Sequence, residues 1–195
     1  SALLAIDESL SKLGLSYVDL YLVHWPTANG DETLSLNKRE ETWRAMEEIY
    51  KSGKARAIGV SNYTIRHLEE MKKYAKIMPM INQVEFNPFL YQKDLLDYCK
   101  QNNIVLEAYS PLTHGQKLSN EIIQNIAKKH KKIEAQVLIR FGLQHGCVVI
   151  PKSVHKNRIE ENLNVFDFEL SNADMEALNA LNENLHFTAD PTNLE

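Results

Sequence analysis

The sequence predicts an α/β fold built on a parallel β-sheet. Five short apolar runs, at 17–23, 55–60, 80–86, 104–108 and 147–150, alternate with segments whose apolar residues recur at helical spacing. Strands that alternate with helices form parallel sheets with right-handed crossovers. No glycine-rich turn of the G-x-G-x-x-G type follows a run, which weighs against the dinucleotide-binding form of an open sheet. The pattern alone leaves two architectures open, a doubly wound sheet and part of a (β/α)8 barrel.

Composition excludes several classes of partner. The 195 residues are enough for one domain with a buried core, and the net charge of −4 gives no basic surface for nucleic acid or an anionic membrane. No apolar run approaches the length of a membrane span, and the start of the chain is typical of a helix and not of a leader peptide. Cys99 and Cys147 are too few for a disulfide framework and lack metal-ligand neighbours. We expect both thiols to be reduced and buried, no metal site, and a cytoplasmic protein.

The segments between the runs carry ordinary helix signals. The first helix is closed by Gly14. Ser119 is the expected N-cap of a helix that ends at 130, and Ser171 opens a capping-box sequence. The predicted helices span 2–13, 40–52, 65–75, 92–102, 119–130, 134–144, a segment from 156, and 171–182.

Other connections are predicted as loops and turns. Residues 27–38, which contain Asn29-Gly30-Asp31, form a polar loop. Ser61 and Asn62 turn the chain and cap the following helix. The tail from His186 has no periodicity and is expected on the surface.

Polar or aromatic side chains follow every predicted strand. Ligands of parallel α/β proteins bind at the carboxyl ends of the strands, so these side chains are expected on one rim. Each has an ordinary explanation by itself: a histidine here is more often structural, Gln83 could satisfy a buried backbone group, and Glu85 could pair with an interior cation. Their convergence predicts a ligand site. The side chains are those of His24, Trp25, Ser61, Asn62, the segment from Gln83 to Asn87, Tyr109, Ser110, Lys152 and Ser153.

The turn after the last run has the chemistry of a phosphate site. Residues 147–150 are typical of a buried strand, and Pro151 ends it because proline has no N–H for the ladder. A helix begins near 156, with Ile159 and Leu163 on one face, so Arg158 lies in its first turns. The exposed N–H groups of a helix start, together with Lys152 and Arg158, suit a phosphate. A solvated basic turn is the alternative explanation.

Five motifs, in this order along the chain, resemble those of the aldo-keto reductases. The similarity extends from about Ala2 to Asn182. It implies a (β/α)8 TIM barrel, incomplete here with five of eight strands, and a single domain over residues 1–195. The motifs are Leu20-Tyr21-Leu22-Val23-His24-Trp25-Pro26, Gly59-Val60-Ser61-Asn62-Tyr63, Asn82-Gln83-Val84-Glu85-Phe86-Asn87-Pro88, Ala108-Tyr109-Ser110-Pro111-Leu112, and Ile150-Pro151-Lys152-Ser153 with Arg158, Glu161 and Asn162 downstream.

The resemblance implies a role for each matching residue in binding NADPH or a carbonyl substrate. His24 would point at the substrate carbonyl and donate or relay a hydrogen bond, and Trp25 would line the substrate pocket. At the nicotinamide end, the carboxamide would be held by Ser61, Asn62 and Gln83, and Tyr109 would stack on the ring.

The same resemblance assigns the other half of the cofactor. Ser110 and Leu112 would cover the pyrophosphate. Lys152 and Arg158 would hold the 2′-phosphate, which implies NADPH over NADH. Glu161 and Asn162 would hold the adenine, Ser153 and Val154 would line the adenosine phosphate, and His155 stands where the family often has Thr or Asn.

The resemblance also implies catalytic residues that this sequence does not carry. In the family, strands before the helix at 2–13 supply an aspartate, a proton-donating tyrosine and a lysine that lowers the pKa of that tyrosine. Only His24 of the four is present, so the chain alone is expected to be inactive. Complete barrels take roughly 250 residues, and five strands would leave two open edges. We therefore expect a fragment of a longer enzyme; a partner polypeptide or a truncated, rearranged form are the alternatives.

The expected function is NADPH-dependent reduction of aldehydes and ketones to alcohols by a longer chain, monomeric as is usual in the family. A truncated, inactive module that binds NADP(H) or a partner protein is the alternative. A different barrel enzyme could instead bind a sugar phosphate at Lys152 and Arg158. The loops at 27–38 and 113–118 are short, which favours an open, permissive substrate pocket.

Overall fold

A computed structural model of the chain describes residues 2–27 and 32–192, the side chains of 32–35 excepted. Within these residues, helices and strands alternate in the predicted order. The strands are β1 (Val18–Val23), β2 (Ala55–Ser61), β3 (Ile81–Glu85), β4 (Val105–Tyr109) and β5 (Val148–Val149). The helices are α1 (Ala2–Leu13), α2 (Glu32–Lys51), α3 (Ile65–Met71), α4 (Lys93–Gln101), α5 (Glu121–His130), α6 (Glu134–Gln144), α7 (Lys156–Leu163) and α8 (Asn172–Asn179), with a 3₁₀ turn at Thr113–Gly115.

The strands form one parallel sheet in the order β1-β2-β3-β4-β5, which confirms the predicted α/β class. β1 and β2 pair through Val23 and Val60, and β2 and β3 pair through Ser61 and Gln83. β3 and β4 are joined at one end by the Val105 N–H, which donates to the Met80 carbonyl at 2.9 Å. Because neighbouring strands run the same way, their carboxyl ends meet at one edge of the sheet.

The chain divides into two compact units. Unit 1 comprises 1–83, 98–105 and 191–195, and unit 2 comprises 84–97 and 106–190. Unit 1 is packed around apolar side chains of α2 and β2, among them Trp43, Met46 and Ile58. In unit 2 the rings of Phe86 and Phe141 stack with centroids 5.7 Å apart. Both units therefore have a close-packed apolar core of their own.

Helix ends agree closely with the prediction in α1 and α6, whose bounds are the predicted ones. The loop prediction at 27–38 is wrong from Glu32 onward because α2 begins there; Asn29-Gly30-Asp31 lies outside the described residues. α3 and α8 end three or more residues earlier than predicted. Hydrogen-bonded turns follow both helices, since the Ala75 N–H donates to the Met71 carbonyl and the Leu181 N–H donates to the Leu178 carbonyl.

The predicted caps are partly confirmed. Ser171 caps α8, since its hydroxyl accepts from the Asp174 N–H at 3.2 Å. At α5 the cap is Asn120, whose Oδ1 accepts from the Ile122 N–H at 3.0 Å, and not Ser119. Thr64 is the N-cap of α3, so the prediction that Ser61 and Asn62 cap this helix is wrong. Their side chains are bonded to the ends of neighbouring strands instead.

The last strand and the helix after it are more exposed than predicted. β5 forms at 148–149 within the predicted run, but Val148 is 44% exposed, so the prediction of a buried strand is wrong at this residue. α7 begins at the predicted residue, yet Ile159 and Leu163 on its apolar face are 52% and 72% exposed. Periodicity thus located this helix but not its burial.

Two predictions made from composition concern cysteines and membrane spans. Cys99 and Cys147 are both buried, and neither forms a disulfide, which confirms that prediction. Among the described helices, none combines the length and the apolar character that a bilayer crossing requires. In the described part of the chain, no cluster of three or more His, Cys, Asp and Glu side chains has the arrangement of a metal site.

Candidate active site

Hydrogen bonds at the end of β2 connect four predicted site residues of unit 1, which are His24, Ser61, Asn62 and Gln83. The Ser61 hydroxyl and the Asn62 N–H both donate to the Gln83 carbonyl, at 2.8 Å and 2.9 Å. The side-chain nitrogen of Asn62 donates to the His24 carbonyl at 3.0 Å and to the Ser61 hydroxyl oxygen at 3.2 Å. Side-chain hydrogen bonds therefore tie together the carboxyl ends of three neighbouring strands.

This turn restricts what its side chains offer to a ligand. Asn62 has a φ of 64°, the left-handed region that asparagine tolerates better than most residues. Both hydrogens of its amide nitrogen are donated within the protein, and Ser61 donates its hydroxyl hydrogen to Gln83. The donor hydrogens of both side chains are therefore used within the protein.

His24 and Trp25 follow β1 directly. The His24 side chain is exposed, and its ring centroid lies 6.0 Å from that of the half-buried Trp25, with the planes tilted by 56°. Asn62 holds the backbone of His24 through its carbonyl. The imidazole is thus anchored at its main chain and accessible at its ring, as a hydrogen-bond donor to a substrate must be.

Arg39 is a residue of this region that sequence reasoning missed. Its side chain is 4% exposed, forms a bidentate ion pair with Glu70 at 2.8 Å and 2.9 Å, and donates to the Pro26 carbonyl at 3.2 Å. Burial by itself would lower the pKa of Arg39. The hydrogen bond and the charge of Glu70 outweigh this effect, so the pKa of Arg39 is raised above its ordinary value. This pair fixes the segment that follows Trp25. No local sequence signal reveals it, because Glu70 lies 31 residues further along the chain.

In unit 2, most of the predicted cofactor residues line one cleft of ≈ 600 Å³. A volume of this size is typical of small-molecule sites. The predicted residues in its wall are Ser110, Leu112, Lys152, Ser153, Arg158, Glu161 and Asn162. The wall also contains residues that were not predicted: Pro111, His114, Gly115, Leu118, Ile133, Glu134, Ala135 and Ile150.

The cleft has exposed cations without a carboxylate partner. Neither Lys152 nor Arg158 forms an ion pair with any residue that the structure describes. The Ser153 hydroxyl accepts from the His155 N–H at 3.1 Å, just before α7 begins. Two available cations beside a helix start provide the charge and the N–H donors that a phosphate requires.

Tyr109 and Val154 are not among the residues that line the cleft. Val154 is 74% exposed. Tyr109 is half-buried, and its hydroxyl lies 3.0 Å from the Thr188 hydroxyl. Burial raises the pKa of Tyr109.

The turn after Tyr109 borders the cleft with a strained backbone. Ser110, Thr113 and His114 have φ values of 48°, 53° and 51°, a conformation that costs non-glycine residues free energy. The turn is held by a contact of 3.1 Å between the Ser110 hydroxyl and His114 Nε2, and by the buried Thr113 hydroxyl, which donates to the Leu112 carbonyl at 2.7 Å. Such fixed turns place backbone N–H groups where an anion can meet them.

The tail was also misjudged from sequence. Residues 186–188 are half-buried and bonded to the carboxylate of Glu85, so the expectation of a surface tail is wrong for this segment. Glu85 is buried, as an interior ion pair would require, but it accepts hydrogen bonds mainly from backbone N–H groups and a hydroxyl. The nearest cation candidate, His186 Nδ1, is 3.8 Å from Glu85.

Comparison with known proteins places this arrangement in a family. The model of the aldo/keto reductase family matches residues 1–183. Glyoxal reductase of Bacillus subtilis (strain 168) is 52% identical over 194 residues, which cover 100% of this chain and 67% of that protein. The chain spans about two thirds of the length of the curated relatives it matches.

Solved structures agree with the family match. MGS-M4, an aldo-keto reductase from a Medee basin deep-sea metagenome library, is 44% identical with a TM-score of 0.89, over 99% of this chain and 70% of that one. An aldo-keto reductase of Bombyx mori, solved in complex with NADP, is 34% identical with a TM-score of 0.87, over 96% and 64% of the two chains. The five parallel strands are therefore part of a (β/α)8 barrel. The chain belongs to the aldo/keto reductase family.

Proposed function

We propose that this chain is the greater part of an NADPH-dependent reductase that converts aldehydes or ketones to alcohols. The observation that carries the proposal is the cleft of unit 2, where Lys152 and Arg158 stand without a carboxylate partner among the described residues. Glu161 and Asn162 lie in the same wall and supply the hydrogen-bonding groups that an adenine ring requires. The names of the relatives, a glyoxal reductase and a reductase solved with NADP, support the same class.

The proposed contacts of the cofactor follow from the chemistry of each side chain. Lys152 provides a point charge and Arg158 a planar fork, both suited to a 2′-phosphate. Ser110 and Leu112 border the pyrophosphate. Ser153 and Val154 flank the adenosine phosphate, and Tyr109 stacks on the nicotinamide ring.

The residues of unit 1 are proposed to orient the reacting groups. Bound NADPH supplies the hydride. Ser61, Asn62 and Gln83 hold the nicotinamide carboxamide and so select the ring face that points to the substrate. His24 donates a hydrogen bond to the substrate carbonyl oxygen, and Trp25 forms one wall of the substrate pocket. Small carbonyl compounds are the proposed substrate class, in a monomeric protein of the cytoplasm.

The 195 residues alone are proposed to bind NADPH without turnover. Reduction of a carbonyl requires a proton for the oxygen, and the family takes it from a tyrosine that this sequence does not contain. We also propose that the 195 residues form a single domain, because strand β3 belongs to both compact units. The intact mass of the polypeptide from its source cells, compared with 22.4 kDa, separates a longer enzyme from a binding module.

The cofactor proposal is tested by charge removal in the polypeptide as its source makes it. Lys152→Ala and Arg158→Ala should each raise KM for NADPH about 10- to 100-fold, the size of one charge-assisted hydrogen bond. KM for NADH should change little, because NADH lacks the 2′-phosphate. The assay follows NADPH oxidation with a small aldehyde such as glyoxal.

A matched control lies on the same helix. Lys156 is 3.8 Å from Glu160 and does not line the cleft, so Lys156→Ala should leave both KM values unchanged. Equal losses for NADPH and NADH in the Lys152 and Arg158 variants would contradict the proposal. So would the absence of carbonyl reduction by the native polypeptide.

A further inference from the structure

Glu85 is a buried carboxylate that anchors the tail of unit 2. It is the last residue of β3 and 2% exposed. Its Oε1 accepts from the Phe187 N–H at 3.0 Å, and its Oε2 accepts from the Thr188 N–H at 3.2 Å and from the Thr188 hydroxyl at 2.7 Å. A buried carboxylate is stable only when its oxygens are satisfied in this way. The tail is therefore held at the carboxyl end of β3.

The direction of these hydrogen bonds extends the contact to Tyr109. A threonine hydroxyl has one hydrogen, and Thr188 donates it to the Glu85 carboxylate, which can only accept. The contact of 3.0 Å between the hydroxyls of Thr188 and Tyr109 must therefore have Tyr109 as its donor. The result is a chain of hydrogen bonds from Tyr109 through Thr188 to Glu85. Each bond in such a chain polarises the next and strengthens it.

This chain restrains the far end of the Tyr109 ring. At the near end, the Tyr109 carbonyl accepts from the Phe86 N–H at 3.3 Å, so the backbone is held by the residue next to Glu85. The ring thus has a fixed backbone and a fixed hydroxyl, and rotation about the Cα–Cβ bond of Tyr109 would break the hydrogen bond to Thr188. A ring that serves as a stacking platform needs this restraint on its position, because stacking depends on the offset of the two rings.

We propose that Glu85 and Thr188 are positioning residues that hold the Tyr109 ring in the place where it stacks on the nicotinamide half of NADPH. The inference rests on the proposed function, because it requires the nicotinamide at Tyr109. It assigns a part in cofactor binding to Thr188 and to Glu85, neither of which lines the cleft for the adenosine phosphate.

The test compares Thr188→Val with Thr188→Ser in the polypeptide as its source makes it. Valine keeps the shape of threonine but removes the hydroxyl, whereas serine retains it. Two ligands are titrated: NADPH, and adenosine 2′,5′-bisphosphate, which lacks the nicotinamide. Thr188→Val should raise the Kd for NADPH about tenfold, which corresponds to the loss of one buried hydrogen bond. The Kd of the bisphosphate should stay within about twofold of the wild-type value, because that ligand binds to residues distant from Thr188. Thr188→Ser should restore NADPH binding.

Tyr109→Phe is a second variant that tests the same hydrogen bond if Thr188→Val does not fold. Tyr109→Phe retains the ring and the tail but removes the hydroxyl that donates to Thr188. It should show the same selective loss for NADPH, and combining it with Thr188→Val should add nothing, since both remove one hydrogen-bond chain. Additive effects, an equal loss for both ligands, or unchanged NADPH binding in either variant would each overturn the inference. If the wild-type protein binds the bisphosphate but not NADPH, the proposed function fails as well.

Discussion

At the scale of single residues, Arg39 shows how one buried charge holds a loop beside the site. It joins three segments of unit 1, because its guanidinium donates to Glu70 on α3 and to the Pro26 carbonyl after β1. Breaking a buried ion pair by removing one partner leaves the other charge desolvated and uncompensated. The segment that carries Trp25 therefore depends on a residue of α2.

We expect Arg39→Met to lower the free energy of unfolding by about 3 kcal/mol. Arg39→Lys should restore only part of this, because lysine cannot form the bidentate pair with Glu70. Urea denaturation measures both. Arg44→Met is the control on the same helix, since Arg44 pairs with Glu40 at the surface and such pairs contribute little. Equal losses for Arg39→Met and Arg44→Met would contradict the assignment.

At the scale of elements, the start of α8 combines a cap with an ion-pair cluster. Ser171 and Asp174 form a reciprocal capping box, and Asp174 also accepts from Lys129 at 2.9 Å and from His130 Nε2 at 2.9 Å. Burial alone would raise the pKa of Asp174, but hydrogen bonds from His130, Lys129 and Ser171 outweigh it and hold the pKa well below 3.8. α8 is thereby attached to the end of α5.

A depressed pKa gives this cluster a defined pH dependence. The ionised form of Asp174 stabilises the fold at every pH above the ordinary value of 3.8, and that stabilisation is lost as the pH falls below it toward the folded-state pKa. Asp174→Asn should therefore lower the free energy of unfolding by about 2 kcal/mol near pH 7. The difference from wild type should shrink below about pH 4. Thermal unfolding at a series of pH values measures this difference in stability. Asp167→Asn is the control, and it should change stability little because Asp167 is exposed.

At the scale of the whole molecule, exposed apolar side chains stand out on unit 2. Val154, Ile159, Leu163 and Phe166 are 74%, 52%, 72% and 70% exposed. They follow β5, the last strand of the sheet, whose Val148 is also exposed. Apolar groups of this kind, next to a sheet edge, are typical of surfaces that associate.

We expect the chain of 195 residues, expressed by itself, to self-associate as its concentration rises. Replacing the two most C-terminal of these side chains, Leu163→Lys with Phe166→Ser, should reduce association without loss of helical structure. Sedimentation velocity measures the oligomer distribution. Leu4→Lys is the control, since Leu4 is equally exposed but lies on α1. A wild-type chain that stays monomeric throughout would contradict the expectation.

Local sequence determined the order of the helices and strands and several of their ends. The order of strands and helices, the bounds of α1 and α6, and the cap at Ser171 follow from periodicity and turn chemistry that act over a few residues. Lys152, Ser153 and Arg158 in the wall of the cleft were also predictable, because the turn after β5 and the start of α7 bring them together within one local motif.

Only the tertiary structure decided which distant residues support that site. Glu85 meets Phe187 across 102 residues of sequence, and Arg39 meets Glu70 across 31, so no local pattern could pair them. Burial was likewise decided by neighbours, since the apolar face of α7 has the same periodicity whether or not another element covers it. Short-range preferences select the elements, while long-range hydrogen bonds and packing determine which side chains those elements hold in place.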